Sequence, residues 1–356
     1  MGTFYRQILK RSWEISWKYK WLWLFGFFAT LLGNGTFYES VLRSFTNLNE
    51  GRSIFYTLKE YVNSGILSIF SWTRLLELWE TDSTFVSLSL LTLALILLVV
   101  AIFIVMSVVS QIAIIKASIV LDEKKKISKL EAFRTGVEKF WSVFWLNIIT
   151  RVLMFGAILF IAFLVSIFLA KPIAWSFFLY IFAFLCLLLI GIAVYFITIY
   201  AGAFIVLRDK KVWTSLRYAW YIFRANALLN FEFGLLLFFI NVLVGIIGVV
   251  IAVFVVSPFI LLYFLMIAMH LSAFSWVVGF LILGIITLLM VVIGSWFTTF
   301  HIASWTILFE ELALKRGKAK LLRILDEWSQ PVKKPVTVKK AKRKTTRKKP
   351  TKKSSK

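Results

Sequence analysis

Residues 85–121 read FVSLSLLTLALILLVVAIFIVMSVVSQIAIIKASIVL, thirty-seven positions with one charge, Lys116. A helix needs roughly 20 predominantly apolar residues to cross about 30 Å of hydrocarbon. The run is continuous and lacks the alternation that marks a membrane β-strand. Inside lipid, backbone polar groups must be satisfied within the segment, which a helix does by itself. The stretch therefore predicts a spanning helix. Comparable runs cover residues 21–37, 144–170, 173–207, 228–256 and 273–309. The expected fold class is all-α, a polytopic transmembrane helix bundle of about six spans. Composition agrees, since 60% of the 356 residues are hydrophobic, against about 45–50% in soluble domains.

Lysine and arginine orient the spans, because links on the cytoplasmic side are enriched in them. Residues 1–20 carry five, Asp122–Trp141 six, Arg208–Arg224 five and Glu310–Lys356 eighteen. The alternate links are poor in them: Tyr38–Ser83 has four against six acidic residues, and Ser257–Ser272 has none. Six spans put every basic-rich link on one side, with both termini cytoplasmic. Trp21, Trp23, Trp141, Trp145, Trp175 and Trp305 fall near span ends, where interfacial anchors belong. The expected location is the cell membrane.

Two spans are irregular. Trp21–Gly33 is short and follows Lys10, Arg11, Lys18 and Lys20, as in a signal peptide. No A-x-A-like site follows, so a retained anchor is expected. Ser257-Pro258 predicts a break in the fifth helix, with Phe259–Leu271 forming a hairpin or re-entrant piece on the outer side.

The ends of alternate spans resemble one another. Ile119-Val120-Leu121-Asp122-Glu123-Lys124-Lys125 is matched by Ile205-Val206-Leu207-Arg208-Asp209-Lys210-Lys211 and, more loosely, by Thr306-Ile307-Leu308-Phe309-Glu310-Glu311. A helical pattern follows the first two: Leu130-Glu131-Ala132-Phe133 and Leu216-Arg217-Tyr218-Ala219-Trp220. Phe4–Lys20 holds the same place before the first span. The chain thus reads as three hairpins, each an interfacial amphipathic helix, a span out and a span back. In Ile127–Trp141 the apolar positions are Leu130, Phe133, Val137, Phe140 and Trp141. Such a helix suits the headgroup layer. Leu312–Trp328 has a similar pattern.

Those span ends and the Leu-x-x-Ala-aromatic helices resemble the membrane domain of some glycerophosphoryl diester phosphodiesterases and related stand-alone bacterial multi-pass proteins. The likeness covers roughly residues 84–311. It implies a bacterial membrane topology and no enzymatic activity, because hydrolysis in that family belongs to an attached domain that this chain does not contain.

Residues 331–356 form a tail with no acidic residue, in which thirteen of twenty-six positions are Lys or Arg; the rest of the chain keeps +11 of the net +24. With almost no apolar residues it is expected to be disordered. Lys339, Lys340, Lys342, Arg343, Lys344, Arg347, Lys348 and Lys349 are its candidate contacts. Two surfaces fit them: anionic lipid headgroups, at about 1 kcal/mol per basic residue, and RNA or the ribosome through counterion release. The absence of aromatic residues removes base stacking.

Inside the spans the candidate polar residues are Asn147, Arg151, Glu232 and Asn241. An intramembrane charge is a functional hypothesis by default. Arg151 and Glu232 lie at similar depth and would pair if their spans adjoin. Asn241 is deeper and suits a bond across helices. His270 and His301 lack neighbours at metal-ligand spacing, and the single cysteine, Cys186, excludes a disulfide within the chain. No G-x-S-x-G, H-E-x-x-H or phosphate-loop pattern occurs. No catalytic residue, cofactor or metal is expected. The primary expectation is a non-enzymatic component that organises or assembles the membrane through lipid contacts and other membrane proteins. The alternatives are a small-solute transporter or channel, and a membrane-insertion factor that recruits ribosomes through the tail.

Overall fold

A computed structural model of the chain describes residues 4–31, 79–81, 83–169 and 176–314. Among the described residues there is no strand, and nine helices follow in order. They are α1 (Phe4–Lys18), α2 (Leu22–Leu31), α3 (Ser83–Asp122), α4 (Lys129–Glu138), α5 (Phe140–Leu169), α6 (Ser176–Arg208), α7 (Val212–Ala225), α8 (Ala227–Ala268) and α9 (Ser272–Ala313). Five of them, α3, α5, α6, α8 and α9, are long and apolar enough to cross a membrane. The chain is an all-α, multi-pass membrane bundle. The expected first span is helical over Leu22–Leu31; residues 32–37, residues 170–175 and the tail lie outside the described residues.

The order amphipathic helix, outgoing helix, return helix recurs three times, with α2 described over ten residues, and the contacts close the helices into a ring. The return helices α3, α6 and α9 pack on one another at one end of the bundle. The outgoing helix α5 packs on its own partner α6 and on α3 of the preceding unit. Likewise α2 packs on α3 and on α9, the last helix of the chain. The short helices follow the same rule: α4 docks on α3, α7 on α6, and α1 on α9.

Small residues make these dockings possible. Lipid solvates large apolar side chains as well as protein does, so helices in membranes associate through close packing. Each short helix buries a pair of small residues one turn apart: Ser12 and Ser16 in α1, Ala132 and Gly136 in α4, Ser215 and Ala219 in α7. At Gly136 a Cβ would stand 2.7 Å from the Val109 carbonyl oxygen of α3, so only glycine allows this approach. Several of the largest apolar residues of α4 and α7 point outward, whereas α1 also buries Ile8 and Ile15. Leu130, Trp213 and Tyr221 are 75%, 74% and 72% exposed.

The chain leaves its long helices by a common device. Lys124, Asp209 and His270 adopt positive φ. The following amide then reaches back to a carbonyl five or six residues earlier: Lys125 to Val120, Lys210 to Phe204, Leu271 to Met266. This is the left-handed helix stop that satisfies terminal carbonyls. The motif shared by residues 119–125 and 205–211 is thus partly a turn signal. Ser128 then caps α4, accepting the Glu131 amide at 3.1 Å.

One boundary differs from expectation. The fifth span does not break at Ser257-Pro258: α8 is one helix of 42 residues with Pro258 inside it. Proline has no N–H for the carbonyl four residues back, here Phe254. The Ser257 hydroxyl donates to that carbonyl at 3.1 Å, so the group that proline strands is satisfied locally. Residues 259–268 therefore continue α8, and the turn to α9 comes only at Met269–Leu271.

Candidate functional site

Polar side chains concentrate where the three units meet. Arg11 of α1 donates from Nε to Asp122 Oδ1 at 2.6 Å, from Nη2 to the other Asp122 oxygen, and from Nη1 to Glu311 Oε1 at 2.8 Å. It thereby ties the ends of α3 and α9 to the start of the chain. The Asp122 hydrogen bonds push the Arg11 pKa further above its ordinary value; partial burial opposes them and Glu311 adds to them. Arg208 at the end of α6 donates to Glu310 at 2.8 Å. Lys139, between α4 and α5, pairs with Asp209. Hydrogen bonding from Lys139 holds Asp209 below the usual carboxylate range, and Lys125 does the same to Glu123. Residues 11, 122, 208 and 311 share one end of the bundle.

Deeper in the bundle, each outgoing helix is fastened to the return helix of the preceding unit. Asn147 Nδ2 of α5 donates to Gln111 Oε1 of α3 at 3.2 Å. The Tyr200 hydroxyl of α6 donates to Asn230 Oδ1 of α8. Thr299 of α9 donates to the Leu22 carbonyl of α2 at 3.1 Å, and Thr298 hydrogen-bonds with Thr30 at 2.8 Å. In low dielectric these bonds fix which helix faces which.

The four intramembrane candidates lie on α5 and α8. Asn147 is buried in its clasp with Gln111. Arg151, one turn further, is exposed. The Glu232 carboxylate accepts a hydrogen bond from Tyr5 of α1. It heads a shallow groove of about 390 Å³ lined by Leu235, Leu236, Phe239, Ile240 and Leu243. Asn241 is exposed on α8. The tail candidates from Lys339 to Lys349 lie outside the described residues.

Sequence reasoning missed Tyr5, Arg11, Gln111, Tyr200 and Asn230, whose partners are 30 to 300 residues away. His301 is held in the bundle: its Nε2 takes the Trp305 indole N–H at 3.2 Å and lies 3.2 Å from the Tyr195 hydroxyl. Accepting from Trp305 puts the ring proton on Nδ1. Among the described residues no three His, Cys, Asp or Glu side chains gather as metal ligands would.

No family model, curated protein or solved structure matches the chain. What the arrangement does chemically is to join helices and to present a rim of aromatic and basic residues. Trp13 and Trp17 of α1, Trp141 beside α4, and Trp213, Trp220 and Tyr221 of α7 are all exposed at that end. Lys124, Lys125, Lys210 and Lys211 stand in the adjoining turns.

Proposed function

We propose that this chain is a non-enzymatic component of the cell membrane, with both termini cytoplasmic, that organises the membrane through anionic lipids and other membrane proteins. The rim of three amphipathic helices supports this reading. Each buries a pair of small residues in the bundle, joined in α1 by Ile8 and Ile15, and offers Trp, Tyr or Leu outward, beside turns rich in lysine. Aromatic residues suit the interface and lysines suit the anionic cytoplasmic leaflet. The orientation follows from the same lysines. The basic tail, Pro331–Lys356, would add charge on that side, and the resemblance to phosphodiesterase membrane domains fits a membrane part without chemistry of its own.

The transporter and insertion-factor readings draw less support. A path for solute would gather polar side chains along one lumen. Here Asn147 and Glu232 bond to different helices, while Arg151 and Asn241 stand on exposed faces.

The test compares the full chain with a form lacking residues 331–356, both in nanodiscs of neutral lipid. Binding to vesicles of anionic and of neutral phospholipid is measured at low and high salt. Salt-sensitive capture by anionic vesicles, weakened by the deletion, is expected. Equal capture by both vesicle types defeats the lipid reading, and cosedimentation with ribosomes instead transfers the tail to the insertion-factor reading.

A further inference from the structure

Lys116 is the only charge within α3 before its terminal Asp122. It lies six residues before Asp122, about 9 Å in from the end of the helix. Its side chain is half-buried, and among the described residues it makes no hydrogen bond or ion pair. The repeat does not require it. Setting Ile119-Val120-Leu121 in register with Ile205-Val206-Leu207 and Thr306-Ile307-Leu308 places Gly202 and Ala303 at its position, and both are buried. A cation held back from water without a counter-charge is costly.

Three helices meet beside it. A Cβ on Gly202 of α6 would touch Ile115 of α3 and Leu146 of α5, each at 3.9 Å. The end of α4 lies on the same helix, with Gly136 against Val109, and Val109 and Lys116 share a face of α3 by helical spacing. Lys139, which joins α4 to α5, bonds to Asp209, and Lys125 bonds to Glu123. Those bonds hold both carboxyls below the usual range; the field of Lys116 reaches both and adds to the effect. Both carboxylates are thus engaged by other lysines. The seam holds three cations, Lys116, Lys125 and Lys139, against two carboxylates, and Lys124 and Lys210 in the adjoining turns add only positive charge. The other seams have no such surplus. Arg11 faces two carboxylates, Asp122 and Glu311, and Arg208 faces Glu310.

We propose that Lys116 binds the phosphate of one anionic phospholipid, seated where α3, α5 and α6 meet. This rests on the membrane-organising reading and gives it a defined lipid. A phosphodiester carries one negative charge, which matches the one cation left over, and hydrogen bonds from an ammonium to phosphate are among the strong ones. The depth fits, because a lysine stem follows apolar surface while its head reaches the headgroup layer. Lysines in the exposed turns attract any anionic lipid in passing. Lys116 is set back between helices, so a headgroup that meets it occupies a single discrete place.

To test this, the full chain in a neutral detergent is titrated with phosphatidylglycerol and, separately, with phosphatidylcholine, and bound lipid is counted by native mass spectrometry. The wild type is expected to keep one phosphatidylglycerol that phosphatidylcholine does not replace. Lys116→Gln is expected to weaken that binding about tenfold, Lys116→Arg to retain it, and Lys124→Gln, in the exposed turn, to leave it unchanged. Phosphatidylglycerol should raise the unfolding temperature of the wild type and not that of Lys116→Gln; equal unfolding temperatures without the lipid show the fold intact. Excess inorganic phosphate is expected not to displace the lipid. Equal retention of both lipids by the wild type overturns the proposal, as does Lys116→Gln binding undiminished, Lys124→Gln weakening it equally, or displacement by free phosphate. The chain lacking residues 331–356 should keep this lipid. A negative result here therefore leaves vesicle capture by the tail standing, and a tail that captures no vesicles leaves this lipid detectable.

Discussion

Arg11 offers the sharpest test of how the bundle is closed. Its guanidinium makes a two-pronged contact with Asp122 and a third bond to Glu311. The acid side chains retain 13% and 16% of their exposure, and Arg11 retains 38%. Breaking a fully buried pair by removing one partner costs about 3–5 kcal/mol. Solvent reaches this site, so that figure is discounted to about 2 kcal/mol for Arg11→Met. Much of the loss comes from leaving two carboxylates side by side without a cation. Arg11→Lys keeps the charge and loses the fork, and is expected to cost about 1 kcal/mol. Replacing all three residues, with Arg11→Met, Asp122→Asn and Glu311→Gln, removes the orphaned charge and is expected to recover most of the stability. Unfolding by SDS in mixed micelles, followed by tryptophan fluorescence, measures each difference, and added salt should shrink it. Two results would refute the reasoning: an Arg11→Met chain as stable as wild type, or a triple variant no better than Arg11→Met.

Three further outcomes follow from the same contacts. Gly26→Ala drives a methyl into the Ser295 carbonyl of α9 and should lower stability by about 1–3 kcal/mol, whereas Gly156→Ala, which meets nothing within 4 Å, should not. Tyr200→Phe strips Asn230 of its hydroxyl donor while Asn230 Nδ2 already lacks a partner among the described residues; a loss of about 1–3 kcal/mol is expected, largely restored when Asn230→Leu is added. The depressed Asp209 carboxyl stabilises the folded state above the ordinary aspartate pKa of about 3.9 and loses that contribution as pH falls through its lower folded value; Lys139→Ala should therefore leave stability between pH 5 and 8 lower and flatten its decline in acid, by a small amount because Asp209 is exposed.

The spans were legible because length and apolarity suffice to identify them, and the three-unit pattern showed in the shared span ends. Azimuth around each helix was not legible. Arg151 and Glu232 have similar depths, but depth says nothing of direction, and the Glu232 carboxylate bonds to Tyr5 of α1. In α4 the sequence marks Leu130, Phe133 and Val137 as an apolar face suited to the headgroup layer. The face packed on α3 holds Ala132 and Gly136, which apolar ranking passes over, while Leu130 and Val137 are exposed. Hydrophobic ranking selects the largest side chains because water expels them; lipid does not, so fit selects the smallest. Pro258 misleads for a related reason. The carbonyl it strands has no water to turn to in lipid, and the neighbouring Ser257 hydroxyl keeps the helix whole.

Ring closure also explains where the strongest polar contacts fall. Stacked repeats leave an uncovered face at each end, which linear arrays hide with special caps. Here the first unit covers the last: α1 lies on α9 as α4 lies on α3 and α7 on α6. The two internal dockings are tethered by turns of a few residues, 123–128 and 209–211, so chain connectivity holds the short helix beside its span at little entropic cost. No such tether links α1 to α9, which are some 250 residues apart along the chain. That seam must be held by contacts alone. It is the seam that carries Arg11 with Glu311, the Thr299 bond to Leu22 nearby, and the edge-on packing of Trp13 against Trp296 and Phe300. The distribution of charge at this end of the bundle thus follows from where the covalent chain cannot do the joining.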